Sequence, residues 1–360
     1  MGGVMELDEL RNNIDRIDRQ IVSLINERYV YVKEVGKWKQ NCSHAIYVPE
    51  REKALLDKLE AINEGPLENR TLRAIYREIM SGALALEHPM KVAYLGPQAT
   101  FSHLAAMAKF GRSVNYEPKS SISDVFKDVE SERIDYGCVP VENSTEGAIN
   151  HTLDMLVDSS VQVCAEMNLR IHHNLMAKCE SSEVKRVYSH AQVLGQCRSW
   201  LQQHMPGADV VEVASSTQAA EIAAQEERSA AIASVLAAET NKLKILHENI
   251  EDNSNNTTRF LIIGRQEPKA TGDDKTSICF AIKDRVGALY DCLRPFKEQE
   301  LTLTLIESRP SKRRKWEYFF FLDLLGHRTD EKVIKACGNL EEMAQSLRIL
   351  GSYPHSKVLL

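Results

Sequence analysis

LDELRNNIDRIDRQIVSLINERYVYVKEVGKW, residues 7–38, decides how the N-terminal part of this chain folds. Leu7, Leu10, Ile14, Ile17, Ile21, Leu24, Arg28, Tyr31, Val35 and Trp38 follow one another at alternating spacings of three and four. That spacing is the seam of a long helix, predicted from about Glu6 to Asn41, that packs against other helices. Arg28 occupies a seam position where its neighbours are apolar or amphipathic. Its guanidinium either sets register, snorkels to water, or meets an anion inside. Lys39 follows about three turns later and projects from nearly the same face, so two cations share one side of the helix.

Outward from this stretch, a stop at Pro49 opens a second helix carrying Leu55, Leu56, Leu59 and Ile62, closed by Gly65 and Pro66. A third helix carries Leu72, Tyr76, Met80, Ala83 and Glu87 on one stripe. Arg11 and Arg28 are separated by about 25 Å of helix and roughly 100° of rotation, so they cannot grip one small ligand from one helix. If both act, Arg11 serves a site on a second subunit, and the seam left uncovered by one chain gives the reason for an intertwined dimer.

After His88 and Pro89 the pattern changes to short strands alternating with helices. Candidate strands are 92–96, 135–141, 161–167, 184–190, 208–213, 229–234 and 259–264, and candidate helices are 101–110, 192–204 and 218–227. Two α/β lobes are expected. Polar motifs lie at strand ends, where open α/β sheets hold small ligands. These are GPQATFS (96–102), VENSTEGAIN (141–150), SHAQVLGQC (189–197) and NNTTRF (255–260). Taken singly, Thr100 and Ser216 read as helix N-caps, and His172 with His173 as packing rather than metal ligands. Beyond a Gly- and Pro-containing linker at 267–275, strand, helix, two strands, helix and strand follow in the ferredoxin-like order.

The 360 residues are too many for one core and fit two or three domains. A net charge of -6 with 27% charged residues argues against nucleic-acid binding, and the basic run Lys312, Arg313, Arg314, Lys315 reads as a solvated turn. Eight cysteines are scattered without a CxxC pair, as in a cytoplasmic protein with reduced thiols. No signal peptide, membrane-length apolar run, P-loop, GxGxxG or HExxH occurs.

Arg11, Arg28, VGKWK (35–39), PEREKALL (49–56) and REIMSGALALE (77–87) together resemble the all-helical chorismate mutases. The resemblance implies that Arg28, Lys39 and Arg51, with Arg11 of a second chain, hold the two carboxylates and the ether oxygen of chorismate. Glu52 would bind the ring hydroxyl. Glu87 stands where some members carry an amide, and is expected to be kept protonated by burial so that it can donate to the ether oxygen.

The motifs ENS, SH, QC and TRF resemble prephenate dehydratases in order and spacing, with GPQATFS in place of the family's GPEGTFS. That resemblance implies Thr258 as the catalytic residue, with Thr100, Glu142, Asn143, Ser189 and Gln196 lining the prephenate site. GALYDCL (287–293) and ESRP (307–310) resemble the phenylalanine-responsive ACT domain. Gly287, Ala288, Leu289, Glu307, Ser308 and Arg309 would then bind phenylalanine.

The implied architecture is multidomain. A three-helix chorismate mutase domain (1–89) forms an intertwined dimer, a two-lobed dehydratase domain like a periplasmic binding protein covers 90–268, and an α+β ferredoxin-like ACT domain covers 275–360. The implied function is a bifunctional enzyme of phenylalanine biosynthesis, cytoplasmic, without metal or cofactor, with no nucleic-acid or membrane partner, forming a homodimer or a dimer of dimers. An amino-acid sensor that keeps these folds for binding alone is the rival from another class, and arogenate is a rival substrate.

Overall fold

Helix α1 (Leu7–Cys42) runs without a break through the stretch that opens the chain. The computed structural model describes residues 7–42, 47–282, 285–310 and 318–357. The break at Ser43, the basic run 312–315 and Trp316 lie outside them. Helices α2 (Pro49–Ala61) and α3 (Asn69–Glu87) follow, with Pro49 at the first turn of α2, where the missing N–H costs nothing. The chain divides into two compact units: 1–48, 56–90 and 110–115 in one, and 49–55, 91–109 and 116–360 in the other.

In the first unit, α1 and α3 approach closely because two glycines allow it. A methyl group on Gly36 would lie 3.2 Å from Cγ of Glu87, and one on Gly82 would meet the Tyr29 ring. Tyr29 then donates its hydroxyl to the Ile79 carbonyl at 2.9 Å, and Arg73 of α3 pairs with Glu60. The seam itself is not covered. Leu7, Ile14, Leu24, Tyr31 and Trp38 are each more than half exposed in the single chain.

The second unit holds three sheets. Its elements in order are β1 (Lys91–Leu95), α4 (Phe101–Phe110), β2 (Asn115–Lys119), α5 (Ile122–Glu130), β3 (Tyr136–Asn143), β4 (Gly147–Ala148), α6 (Asn150–Asp158) and β5 (Gln162–Arg170). Then come β6 (Asn174–Ala177), β7 (Arg186–Ser189), α7 (Ala191–Gln196), α8 (Arg198–His204), β8 (Asp209–Glu212), α9 (Ser216–Gln225), β9 (Ser229–Ala233), α10 (Val235–Asn241) and β10 (Lys244–His247). The remainder is β11 (Thr257–Gly264), β12 (Asp274–Ile282), α11 (Ala288–Glu298), β13 (Leu303–Pro310), β14 (Tyr318–Leu325), α12 (Glu331–Met343) and β15 (Ser346–Pro354).

The first lobe's sheet has the order β2-β1-β3-β11-β5, with β4 paired to β3, and the second lobe's has the order β10-β6-β9-β7-β8. In the first, β1 and β3 are parallel and β11 returns antiparallel between β3 and β5. Helix α5 shows why the sheet is covered: Ile122, Val125, Phe126 and Val129 are buried at helical spacing, and the Ser121 hydroxyl caps its first turn. The chain crosses to the second lobe after β5 and comes back before β11. These two connections are stitched together: Ile171 N–H donates to Asn256 O at 2.9 Å, and Ile250 N–H to His173 O at 2.8 Å.

The C-terminal sheet is antiparallel with order β13-β14-β12-β15, consistent with the ferredoxin-like order expected, and α11 and α12 bury Phe296, Val333 and Leu340 in one core with Ile278 and Leu322. Two expectations need correction, and three strands were not foreseen. The helix expected over 192–204 is two helices, α7 and α8, broken at Cys197, whose backbone (φ -113, ψ 15) is not helical. The cap of α9 is Ser215, not Ser216, its hydroxyl accepting from Gln218 N–H. Strands β2, β6 and β10 carry too few consecutive β-branched residues to be seen as periodic runs.

Candidate functional site

The helical unit places Arg28 half-buried on α1, with Nη1 shut off from solvent and without a hydrogen-bond partner among the described residues. A buried guanidinium N–H left unsatisfied costs roughly 1–3 kcal/mol, so such a group marks a place where an anion fits. Lys39, about three turns on, lies 2.8 Å from the Glu87 carboxylate of α3, both side chains largely buried. Lys39 and Glu87 thus form an ion pair in the unliganded chain. Gly36 explains how Glu87 fits so close to α1. Arg11 is exposed and makes only a loose 3.7 Å contact with Asp8, one turn away. In the other unit, the first turn of α2 presents Arg51 to solvent and holds Glu52 half-buried, 3.1 Å from Lys109 of α4.

A second constellation forms where the two lobes of the α/β unit are joined. Thr258 and Asn143 are paired residues on β11 and β3, and Asn143 Nδ2 donates to Thr258 Oγ1 at 2.8 Å. The other end of that amide is fixed, because Oδ1 accepts from Thr145 N–H at 2.9 Å and Glu146 N–H at 3.2 Å. Thr258 is 8% exposed, and its hydroxyl proton goes to no described residue. Asn143 Nδ2 also reaches Asn256 Oδ1 at 2.9 Å, whose own amide donates to Gln196 Oε1 at 3.2 Å. Gln196 Oε1 meets His173 Nε2 at 2.8 Å, and the Phe101 ring stands edge-on to that imidazole. Burial and the neighbouring His172 hold His173 below the ordinary imidazole range against the pull of Gln196 and Glu251, burial being the largest cause. His173 is thus a neutral orienting group, and among the described residues no cluster of His, Cys, Asp or Glu could hold a metal ion.

Four polar motifs were expected to meet, and the structure treats them unequally. ENS, QC and NNTTRF supply Asn143, Gln196, Asn256 and Thr258 to one hydrogen-bonded chain. Glu142 is half-buried beside it on β3, and its carboxylate makes no hydrogen bond or ion pair among the described residues. Ser189 is fully buried and gives its proton to Ile232 O at 2.6 Å. Thr100 caps α4 and bonds to Leu95 O at 3.1 Å, so its hydroxyl supports the loop. In that loop Ala99 has φ 65, the left-handed conformation that glycine adopts without cost, which accounts for the glycine in GPEGTFS. The carbonyls of Gln98 and Ala99 accept from Thr217 and Ser234 of the second lobe.

Sequence reasoning passed over His173, Asn256 and Glu146. Glu146 accepts from Gln192 and, at 3.5 Å, from Gln196 Nε2. Asn256 and Glu146 lie in motifs already singled out and His173 was read as packing; which side chain faces which is set by the antiparallel register of β11 on β3 and β5.

In the C-terminal part, Gly287 sits at φ 76 before α11, Ala288 is buried, Leu289 and Glu307 are half-buried and Ser308 is exposed. Arg309 reaches Asp154 of α6 at 3.2 Å. Val286, Tyr290 and Ile306 are exposed on this part.

Comparison with known proteins matches both parts of the chain. The family described as Chorismate mutase type II matches residues 10–88, and that described as Prephenate dehydratase matches 92–268. The bifunctional chorismate mutase/prephenate dehydratase of Aquifex aeolicus is 49% identical over 97% of this chain and 98% of its own length. That of Stutzerimonas stutzeri is 45% identical over the same shares. Among solved structures, prephenate dehydratase from Arthrobacter aurescens in complex with L-Phe superposes with a TM-score of 0.68 at 32% identity, covering 74% of this chain and 90% of that one.

Proposed function

The chain belongs to the bifunctional chorismate mutase/prephenate dehydratase family, and from that premise we propose what its own residues do in each step. The enzyme rearranges chorismate to prephenate and converts prephenate to phenylpyruvate, carbon dioxide and water.

The first step is a unimolecular Claisen rearrangement, so catalysis reduces to holding a compact conformer and stabilising negative charge on the breaking ether bond. Arg28 carries this reading, because its buried N–H lacks a partner until an anion arrives. Lys39, Arg51 and Arg11 of a second chain complete the cation set, with Glu52 on the ring hydroxyl. When the substrate dianion takes up Lys39, Glu87 is left beside negative charge, where the protonated form is favoured and can donate to the ether oxygen. Glu87→Gln keeps that donor at every pH. The wild-type mutase rate is then expected to fall as pH rises and the variant's to stay level; parallel profiles would remove Glu87 from the step.

In the second step the bond to the ring carboxylate breaks, its electron pair enters the ring, and the ring hydroxyl departs with a proton as water. Aromatisation drives the change, so the departing oxygen needs only a placed hydrogen bond. Thr258 supplies it: its oxygen is held by Asn143 while its own proton is uncommitted. Hydrogen-bond and acid help of this kind is worth about 10²- to 10⁴-fold. Thr258→Ala is therefore expected to lower phenylpyruvate formation by a factor of that order and spare the mutase. Near-normal dehydration by that variant would exclude the residue.

The C-terminal sheet serves as a phenylalanine-responsive ACT domain, with the effector bound between paired copies near Gly287 and 307–309. Three features support this: the left-handed glycine opening α11, the exposed apolar Val286, Tyr290 and Ile306, and the L-Phe bound in the Arthrobacter relative. The uncovered α1 seam supports the intertwined dimer. A cytoplasmic location fits the free thiols and the absence, among the described residues, of a helix long and apolar enough to cross a membrane. Incubating the purified chain with chorismate, with and without phenylalanine, identifies the products and the inhibition in one experiment.

A further inference from the structure

Thr258 and Arg259 are neighbours on β11 and point to opposite faces of the sheet. On the face away from Asn143, Arg259 enters a buried charge cluster. Its Nε and Nη2 meet Glu166 Oε2 of β5, each at 2.8 Å. Nη1 lies 2.6 Å from Asp323 Oδ2 of β14, and Nη2 donates to the Tyr353 hydroxyl of β15 at 3.1 Å. Lys275 of β12 shares Glu166 at 2.8 Å, Ser356 N–H reaches the other oxygen of Glu166 at 3.1 Å, and Ser277 hydrogen-bonds both Asp323 and Tyr353. Every member is at least nine-tenths buried apart from Ser356.

The cluster is balanced, two cations against two carboxylates. Burial favours the neutral form of Glu166, yet Arg259 and Lys275 hold its carboxyl below the ordinary range. Burial pushes Tyr353 well above the ordinary phenol range, so it acts as a neutral hydroxyl. Three of the four strands of the C-terminal sheet thus converge on one arginine of the first lobe. Close backbone contact makes this possible: a methyl group on Gly351 of β15 would overlap the carbonyl of Val163 of β5.

The position of Arg259 in β11 gives the cluster a consequence for chemistry. The ladder between β11 and β3 shifts register between Arg259 and Phe260, whereas pairing with β5 runs on unbroken from Thr257 to Ile262. A bulge re-aims the side chains beside it, and its geometry is only as fixed as the groups that clamp it. Resting on the reading of Thr258 given above, we propose that Arg259 is a positioning residue of the dehydratase: Glu166, Asp323 and Tyr353 pin it at the bulge, and this aims the Thr258 hydroxyl. The C-terminal sheet is then part of the dehydratase machinery even when no effector is bound.

A double-mutant cycle on the full chain tests this, with phenylpyruvate formation from prephenate measured for wild type, Thr258→Ala, Asp323→Asn and the double variant. Mutase rate and thermal midpoint are followed alongside. Misaiming by a fraction of an ångström is expected to lower kcat of Asp323→Asn by about 10- to 100-fold, with KM and mutase rate little changed. In the Thr258→Ala background the same substitution is expected to have no further effect, because no hydroxyl remains to be aimed. A purely structural cluster would give additive losses in both backgrounds, and that result overturns the proposal. If Asp323→Asn does not fold, Tyr353→Phe takes its place, removing one hydrogen bond without unpairing a charge. Wild-type kcat in Tyr353→Phe and in any folded Asp323→Asn, with Thr258→Ala strongly slowed, defeats the proposal alone. An active Thr258→Ala defeats the reading of Thr258 and the proposal with it.

Discussion

Arg28 and Arg259 are both arginines whose guanidinium reaches out of solvent, yet their surroundings are opposite. Arg28 sits on a helix whose apolar seam is uncovered, with one N–H shut in and unanswered. Arg259 lies among strands with each nitrogen facing a carboxylate or hydroxyl. An unanswered buried cation is a site prepared for a ligand, whereas one paired with buried carboxylates is part of the scaffold that holds a neighbour in place.

Substituting each in turn gives the largest contrast. Arg28→Ala is expected to lower mutase kcat/KM by about 10³-fold or more. It should leave stability unchanged or raise it by about 1 kcal/mol, since an unpaired buried donor is removed. Arg259→Ala leaves buried Asp323 without a cation and Glu166 with Lys275 alone, and is expected to cost about 3–5 kcal/mol in denaturant unfolding. Equal losses of stability in the two variants would erase the distinction.

The seam comes next. Ile21→Asp puts a charge on the uncovered face of α1, and the dimer proposed above is expected to dissociate by sedimentation, with mutase loss on the order of 10²-fold as Arg11 of the second chain departs. A dimer of undiminished activity would show that the seam is not the interface.

The smallest effect is on acid stability. Glu166 is held below its ordinary 4.5 by Arg259 and Lys275, against burial. A depressed carboxyl contributes stability above about pH 4.5 that is lost as pH falls through its lowered value. Glu166→Gln should therefore flatten the acid side of the stability curve while lowering its neutral plateau. An acid limb of unchanged steepness would argue that other carboxylates set it.

Much of this was legible in the chain itself. Alternating spacings of three and four specified α1 and placed Arg28 and Lys39 on one face, because a helix has one period. Pro49 and Gly65 bounded α2, and the βαββαβ order of the last segment was read from its runs of apolar residues. The motifs ENS, QC and NNTTRF located the second site for the same reason: local sequence determines local backbone. What local sequence could not supply was pairing across distance. Tertiary structure alone brought Lys39 against Glu87, turned Ser189 inward to Ile232, and joined His173 and Asn256 to Gln196. It alone gathered Glu166, Lys275, Asp323 and Tyr353 around Arg259 from four strands far apart in the chain. Each member reads singly as an ordinary strand residue. Their charges can stay buried only because the register of three neighbouring strands delivers opposite partners to the same point.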